Sequence, residues 1–329
     1  MAAFCAVALF VWTAMPAAAS ESSYAAAQGF RFALLGQTPA RPVDEPVLIQ
    51  TLAQIGSEAD LAVHVGAIKG RGERCDDAVY QRRRELLQAS PVPLVLTPGD
   101  EDWADCDQES GGRFAPVERL NRIRELFFDA DQSLGQLQLD LQRQSDTARF
   151  RGYPENARWE YGGVVFATFN MPGNFNNFRP GAGRNGEYED RILANASWLR
   201  QAFAAASREK AQALVLAFHA NPHFEGNRDD RRAADGRDPY GDFKLLLARL
   251  ASRFPGQVLV VHASDNTLTD PPPADHPLRL NGRVLANVRR VQTYGSPLSQ
   301  YWIRIDVAPG RKGALTVTRR TAVLLPPRP

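Results

Sequence analysis

The chain has 329 residues, 44% of them apolar and 23% charged, with a net charge of +2. That length and apolar fraction suffice for one large globular domain with a sizeable core. The near-neutral balance gives no support for a nucleic-acid or anionic membrane-surface partner, which would call for basic residues concentrated on one face.

The first twenty residues carry no charge and place the apolar run Phe4 to Trp12 before Ala17-Ala18-Ala19. This predicts a secretory signal over residues 1–19, cleaved on export to the periplasm or beyond, followed by a linker over 20–28. No positively charged residue precedes the run, which leaves a different start or a retained anchor as alternatives, although the run is short for a membrane span. Export is the favoured reading, with no stable membrane insertion expected after cleavage. Cleavage removes Cys5 and leaves Cys75 and Cys106, an even number in an oxidising compartment. The expectation is a disulfide between them, with two free thiols as the alternative.

A single domain is expected over 29–322, with a tail at 323–329. Its first core strand is Phe30 to Leu35, ending on Gly36-Gln37-Thr38-Pro39, and a helix follows from about Val43 to Ile55. Leu61 to Val65, an amphipathic helix over Asp76 to Ala89 and Pro93 to Thr97 then read as a βαβ unit. A further helix over Pro116 to Phe128 has proline at its start. Residues 129–152 are polar and Gln-rich and read as an irregular insertion without a core position. Arg158 to Tyr161 and Val164 to Asn170 flank Gly162-Gly163 as a hairpin. The loop after it offers Asn170, Asn174, Asn176 and Asn177 as neutral donors and acceptors. A helix over Tyr188 to Ala206, a strand over Ala213 to Phe218, a helix over Tyr240 to Phe254 and a strand over Val258 to Val261 come next. Three alternating strands, Val288 to Tyr294, Tyr301 to Val307 and Ala314 to Arg319, are expected to form an antiparallel edge.

Parallel strands collect their loops at one edge of a sheet, so the loops at Gln37, Ala67, Asp100, His219 and His262 should share a crevice. The segments Val65-Gly66-Ala67-Ile68-Lys69 and Thr97-Pro98-Gly99-Asp100-Glu101-Asp102-Trp103-Ala104-Asp105-Cys106 resemble those of a secreted, bacterial-type branch of the calcineurin-like metallophosphoesterases. In that family D-x-H, G-D, G-N-H-E, an isolated His and G-H-x-H follow in order at strand ends. The resemblance runs from about residue 30 to 307. It implies an α/β fold, a four-layer α/β/β/α sandwich with mixed sheets, and a reaction in which two metals activate a water against a phosphoester.

The same resemblance marks the motifs as eroded. The first motif's Asp and His correspond to Gln37 and Pro39, and the bridging Asp of the second to Ala67, whose methyl group cannot bind a metal. Asp100 stands where the family has Asn, Glu101 where it has the catalytic His, and His219 at the isolated His. Ser264 and Asn266 stand at the ligands of the last motif. Asp100 and His219, with His262, Ser264 or Asn266, make at most a weak single-metal site, so the expected cofactor is none or one weakly bound divalent metal. Lys69, beside a lost carboxylate, is a candidate for holding an anion, and a phosphate-bearing small molecule is the expected partner.

Two readings follow: a non-catalytic relative that keeps the sandwich as a binding or structural module, which the missing ligands favour, or a phosphoester hydrolase with a reduced site. No G-x-S-x-G turn supports a serine hydrolase. His64 reads as a buried strand residue, Arg82-Arg83-Arg84 as a solvated helix face and Arg228-Asp229-Asp230-Arg231-Arg232 as an exposed loop.

Overall fold

The computed structural model describes residues 29–180, 183, 185–225, 236–264, 275–308 and 315–323. The expected signal and linker, the mixed-charge run at 228–232, Asn266 and the tail beyond 323 lie outside these residues.

Strand β1 (Phe30–Leu35) lies between β2 (Leu61–His64), to which it is parallel, and β11 (Tyr301–Val307), to which it is antiparallel. The five-stranded sheet is completed by β3 (Leu94–Leu96), parallel to β2, and β12 (Leu315–Thr321), antiparallel to β11. The second sheet has seven strands in the order β4-β5-β6-β7-β8-β10-β9. Within it β6 (Val164–Phe169), β7 (Ala213–Phe218), β8 (Gln257–His262) and β10 (Arg283–Gln292) are parallel. Antiparallel strands β4 (Gln142–Arg143) and β5 (Ala157–Tyr161) flank them on one side and β9 (Asp275–Leu280) on the other.

The inner faces of the two sheets meet in one apolar layer containing Phe32, Leu34, Val63, Phe166, Val215, Val261 and Ile303. Phe166 bridges them, stacked on Trp159 at 4.9 Å and edge-on to Phe32 at 5.1 Å. Truncating such a ring to alanine costs about 3–5 kcal/mol. Helices α1 (Glu45–Glu58), α2 (Asp77–Gln88) and α3 (Pro116–Phe127) cover the outside of the smaller sheet. Helices α4 (Gly186–Arg208) and α5 (Gly241–Ala251) cover the larger one. The result is the expected four-layer α/β/β/α sandwich. Its parallel strands are buried on both faces, which is why they read as continuous apolar runs. Among the described residues no helix is long and apolar enough to cross a membrane.

Several expectations need correction. The three tail strands do not form one antiparallel edge, because β10 joins the larger sheet parallel to β8 while β11 and β12 complete the smaller one. Strand β9 has no counterpart among the expected elements. It carries Pro277, which a strand tolerates only at an edge, where no ladder bond is lost. The 129–152 insertion does reach the core. Leu134 exchanges backbone bonds of 2.8 and 2.9 Å with Leu94 at the edge of β3, and Leu141 joins the layer between the sheets. Single apolar residues at irregular spacing leave no periodic signal. Arg83 is not solvated. Its side chain is 2% exposed, and its guanidinium pairs with Glu45 and Glu73 and donates from Nε to the Ile68 carbonyl at 2.7 Å. The Gly162-Gly163 hairpin forms as expected, with φ of 56° and 76° at its two glycines, the left-handed values that such a tight turn needs.

Candidate functional site

The C-terminal ends of the parallel strands of both sheets meet at one edge of the sandwich. Thr97 Oγ1, just past β3, donates to the Phe169 carbonyl at the end of β6 at 2.7 Å, joining the sheets there. After β2 the chain turns through Gly66 and Ala67, both left-handed at φ 82° and 55°. This points successive amides inward, an arrangement that receives an anion. The anion is the side chain of Asp102, fully buried. Its Oδ2 accepts from the amides of Ala67 at 2.9 Å and Gly99 at 2.7 Å, and its Oδ1 from Ile68 at 2.8 Å. The loops after β2 and β3 are thus bound together by one carboxylate. The Cys75–Cys106 disulfide ties them a second time, with a Cα separation of 5.8 Å. Gly99 sits so close that a Cβ there would lie 2.6 Å from the Ala67 nitrogen and 2.8 Å from His219 Nδ1.

His219, at the end of β7, sits on these loops. Its Nδ1 lies 2.6 Å from the Val65 carbonyl, and its Nε2 lies 2.9 Å from Asp100 Oδ1 and 3.5 Å from Glu101 Oε2. Both ring nitrogens therefore face acceptors. Burial works against a charged ring, but the hydrogen bonds and charges of Asp100 and Glu101 outweigh it and raise the His219 pKa well above its usual value. Asp100 responds in the opposite sense: burial alone would raise its pKa, yet the His219 hydrogen bond draws it down to about 2. For Glu101, burial first and the neighbouring Asp100 charge second push the carboxyl up. The ligand atoms of Asp100, Glu101 and His219 all lie within 4.8 Å of one another. His64 is a buried strand residue, as expected. Its Nε2 is 2.9 Å from the Thr38 carbonyl, its Nδ1 is 3.2 Å from the Gly66 amide, and burial lowers its pKa to about 4, so it stays neutral.

A cavity of about 510 Å³ opens over this cluster. It brings together Gln37, Ala67, Lys69, Asp100, Glu101, His219 and Ser264 from separate stretches of chain. Pro39 is buried off its lining. His262 is also off the lining, stacked on Phe218 at 6.3 Å with Nδ1 2.7 Å from the Ala263 carbonyl. Strand β8 ends at His262, before Ser264. Lys69 lines the cavity, but its ammonium donates to the carbonyls of Gly70 at 3.2 Å and Glu73 at 2.9 Å. Burial lowers its pKa, and Asp102 and Glu101 resist that shift. Of the four asparagines expected in the crevice only Asn174 lines it. Asn170 donates to buried Glu155, Asn176 to the Pro239 carbonyl and Asn177 to Glu187.

The residues that sequence reasoning missed are Arg71, Phe175, Asn221, His223, Tyr240 and Ser296. Arg71 lies two residues past Lys69 in the same loop, and its guanidinium reaches Asp105 at 3.3 Å and Asp100 at 4.0 Å. The loop position alone was a usable signal for it.

No protein-family model and no curated protein matches the chain. Among solved structures, a purple acid phosphatase from yellow lupin (Lupinus luteus) seeds superposes with a TM-score of 0.50 at 11% identity, over 90% of this chain and 52% of that one. The chain has the metallophosphoesterase fold. A second structure, a protein of Thermus thermophilus, matches with a TM-score of 0.46 at 11% identity, over 90% of this chain and all of that one. Among the described residues, Asp100, Glu101 and His219 at the strand-end cavity form a group of donors that could hold a metal ion.

Proposed function

We propose that the protein is a non-hydrolytic member of the metallophosphoesterase fold whose strand-end cavity binds a small molecule without a two-metal centre. The observation that carries this is Asp102. A two-metal site needs a carboxylate between the ions, and the loop where one is expected presents the Ala67 methyl instead. The neighbouring Asp102 carboxylate has its oxygens on three backbone amides. Pro39 and Gln37 add no anionic or imidazole donor. His219 Nε2 is engaged with Asp100 rather than presented to the cavity. The donors present therefore do not fit two metals. With the cavity and sandwich intact, ligand binding is what remains to it.

The 4.8 Å clustering of Asp100, Glu101 and His219 favours one second reading, a single divalent cation at these three groups. Metal analysis of purified protein, with an aryl phosphate assay in added manganese, separates the two. We expect substoichiometric metal and no hydrolysis. Two equivalents of metal, or manganese-dependent turnover abolished by His219→Ala, would overturn the non-hydrolytic reading; one equivalent without turnover would support the single-cation site.

A further inference from the structure

Asn174, Phe175, Asn176 and Asn177 have φ of 44°, 57°, 59° and 55°, four consecutive non-glycine residues in the left-handed region. Single residues visit that region, Asn most readily, but runs do not form by themselves. Strain of this kind persists where the surroundings over-determine it, and it gathers at ligand clamps. The surroundings here are explicit. The Gly173 amide donates to Asp100 Oδ1 at 3.1 Å, and Asn174 Nδ2 to Asp105 Oδ1 at 2.6 Å. The Asn176 amide donates to the Tyr240 hydroxyl at 2.9 Å, and buried Arg191 donates from Nη2 to the Asn176 carbonyl at 2.8 Å. Each asparagine of the turn also places its side chain on a protein partner. Phe175 is the exception in kind: a phenyl ring has no hydrogen bond with which to offset a left-handed backbone. Phe175 is 37% exposed and lines the cavity beside Gly173 and Asn174.

The charged groups around the same cavity are matched. His219 faces Asp100 and Glu101, Arg71 faces Asp105, and the Lys69 ammonium is turned onto two carbonyls. An entering ion meets little net charge, whereas a neutral ligand with many hydroxyls meets planar donors and acceptors and an aromatic ring on one lining. Building on the reading of this cavity as a small-molecule site, we propose that Phe175 is its stacking platform for a neutral hydroxyl-bearing ring, a sugar or cyclitol. The C–H face of the ring lies on the phenyl group, and its hydroxyls meet Gln37, Arg71 and Glu101.

Saturation-transfer NMR on the full chain, with D-glucose, N-acetyl-D-glucosamine and myo-inositol as probes and phenyl phosphate as the anionic comparison, tests this. At millimolar concentration at least one of the neutral probes should receive saturation on its ring C–H protons. Phe175→Asn should weaken that binding about tenfold, and Phe175→Trp should retain it. Because Asn accepts the left-handed φ, Phe175→Asn should also keep its Tm or raise it by about 2 °C. Failure of all three neutral probes, binding of phenyl phosphate alone, or undiminished binding in Phe175→Asn would overturn the proposal. So would a Tm loss of several degrees in Phe175→Asn, since the ring would then be a packing residue. Manganese-dependent hydrolysis by the unmodified protein would instead remove the non-hydrolytic reading, whichever way the probes behave.

Discussion

Asp102 offers the most direct test of how the candidate site is built. Three amides, those of Ala67, Ile68 and Gly99, converge on its two oxygens inside the protein. Replacing Asp102 with asparagine keeps the shape and one acceptor oxygen but turns an NH2 group toward at least one buried amide. A hydrogen bond to a charged group contributes about 1.5–3 kcal/mol and an unsatisfied buried donor costs about 1–3 kcal/mol, partly offset by no longer burying a charge, so a net loss of about 2 kcal/mol is expected. Asp102→Ala leaves all three amides without an acceptor and should cost about 4 kcal/mol. The backbone carbonyl of Asp102, which accepts from the Tyr80 hydroxyl at 2.7 Å, is untouched by either change, so the loss reports the carboxylate. Urea denaturation followed by fluorescence and far-UV circular dichroism reads the difference, and coincident curves establish that one transition is being measured. A loss below about 0.5 kcal/mol for Asp102→Asn, with unchanged urea dependence, would refute the view that this carboxylate joins the two loops.

The Cys75–Cys106 bond spans 31 residues, and the double Cys→Ala variant should lose about 3.5 kcal/mol by the chain-entropy relation, read as a shift in the urea midpoint. In EDTA-treated protein the raised His219 pKa makes a stabilising contribution that is fully present below the unfolded-state value of about 6.5 and is lost as pH rises through the folded value. The depressed Asp100 pKa gives one that is present above about 4 and is lost as pH falls toward 2. Thermal midpoints between about pH 5 and 9 should therefore fall more steeply for the parent than for His219→Gln; parallel curves would show that the pair does not titrate as described. At Gly173 an added Cβ would lie 2.7 Å from Asp100 Oδ1, so Gly173→Ala should push Asp100 off His219 and shift the imidazole titration seen by NMR toward its ordinary range. Installing Gln37→Asp, Pro39→His, Ala67→Asp, Ser264→His and Asn266→His together should increase metal uptake in elemental analysis; no gain over the parent would mean that the missing ligands are not what separates this site from a two-metal one.

Legibility in the sequence followed the range of the physics. The bounds of β1 and β7, Phe30–Leu35 and Ala213–Phe218, are those read from the chain, because a strand covered on both faces shows its whole length as apolar residues. The nearness of His219 to Asp100 was also readable, since parallel strands in sheets with a shared edge deliver their loops to the same place. Arg83, Asp102 and Phe175 were not readable, for one common reason. Each is held by partners far away in sequence or by a backbone turn, and none belongs to a periodic pattern. Arg83 looks like one cation in a solvated run until Glu45 and Glu73 close on it from other segments. Asp102 looks like one acid in an acidic loop until the left-handed turn at Gly66 and Ala67 aims amides at it. Phe175 looks like an ordinary loop aromatic until Arg191 and Tyr240 fix the turn that carries it. Composition and periodicity thus locate the cavity through the sheet edges, while its chemistry is set by polar contacts between segments that no local pattern announces. In this chain those contacts pair the charged groups with one another, which is why a site that reads in sequence as a metal centre missing its ligands is, in the fold, a cavity with its charges matched.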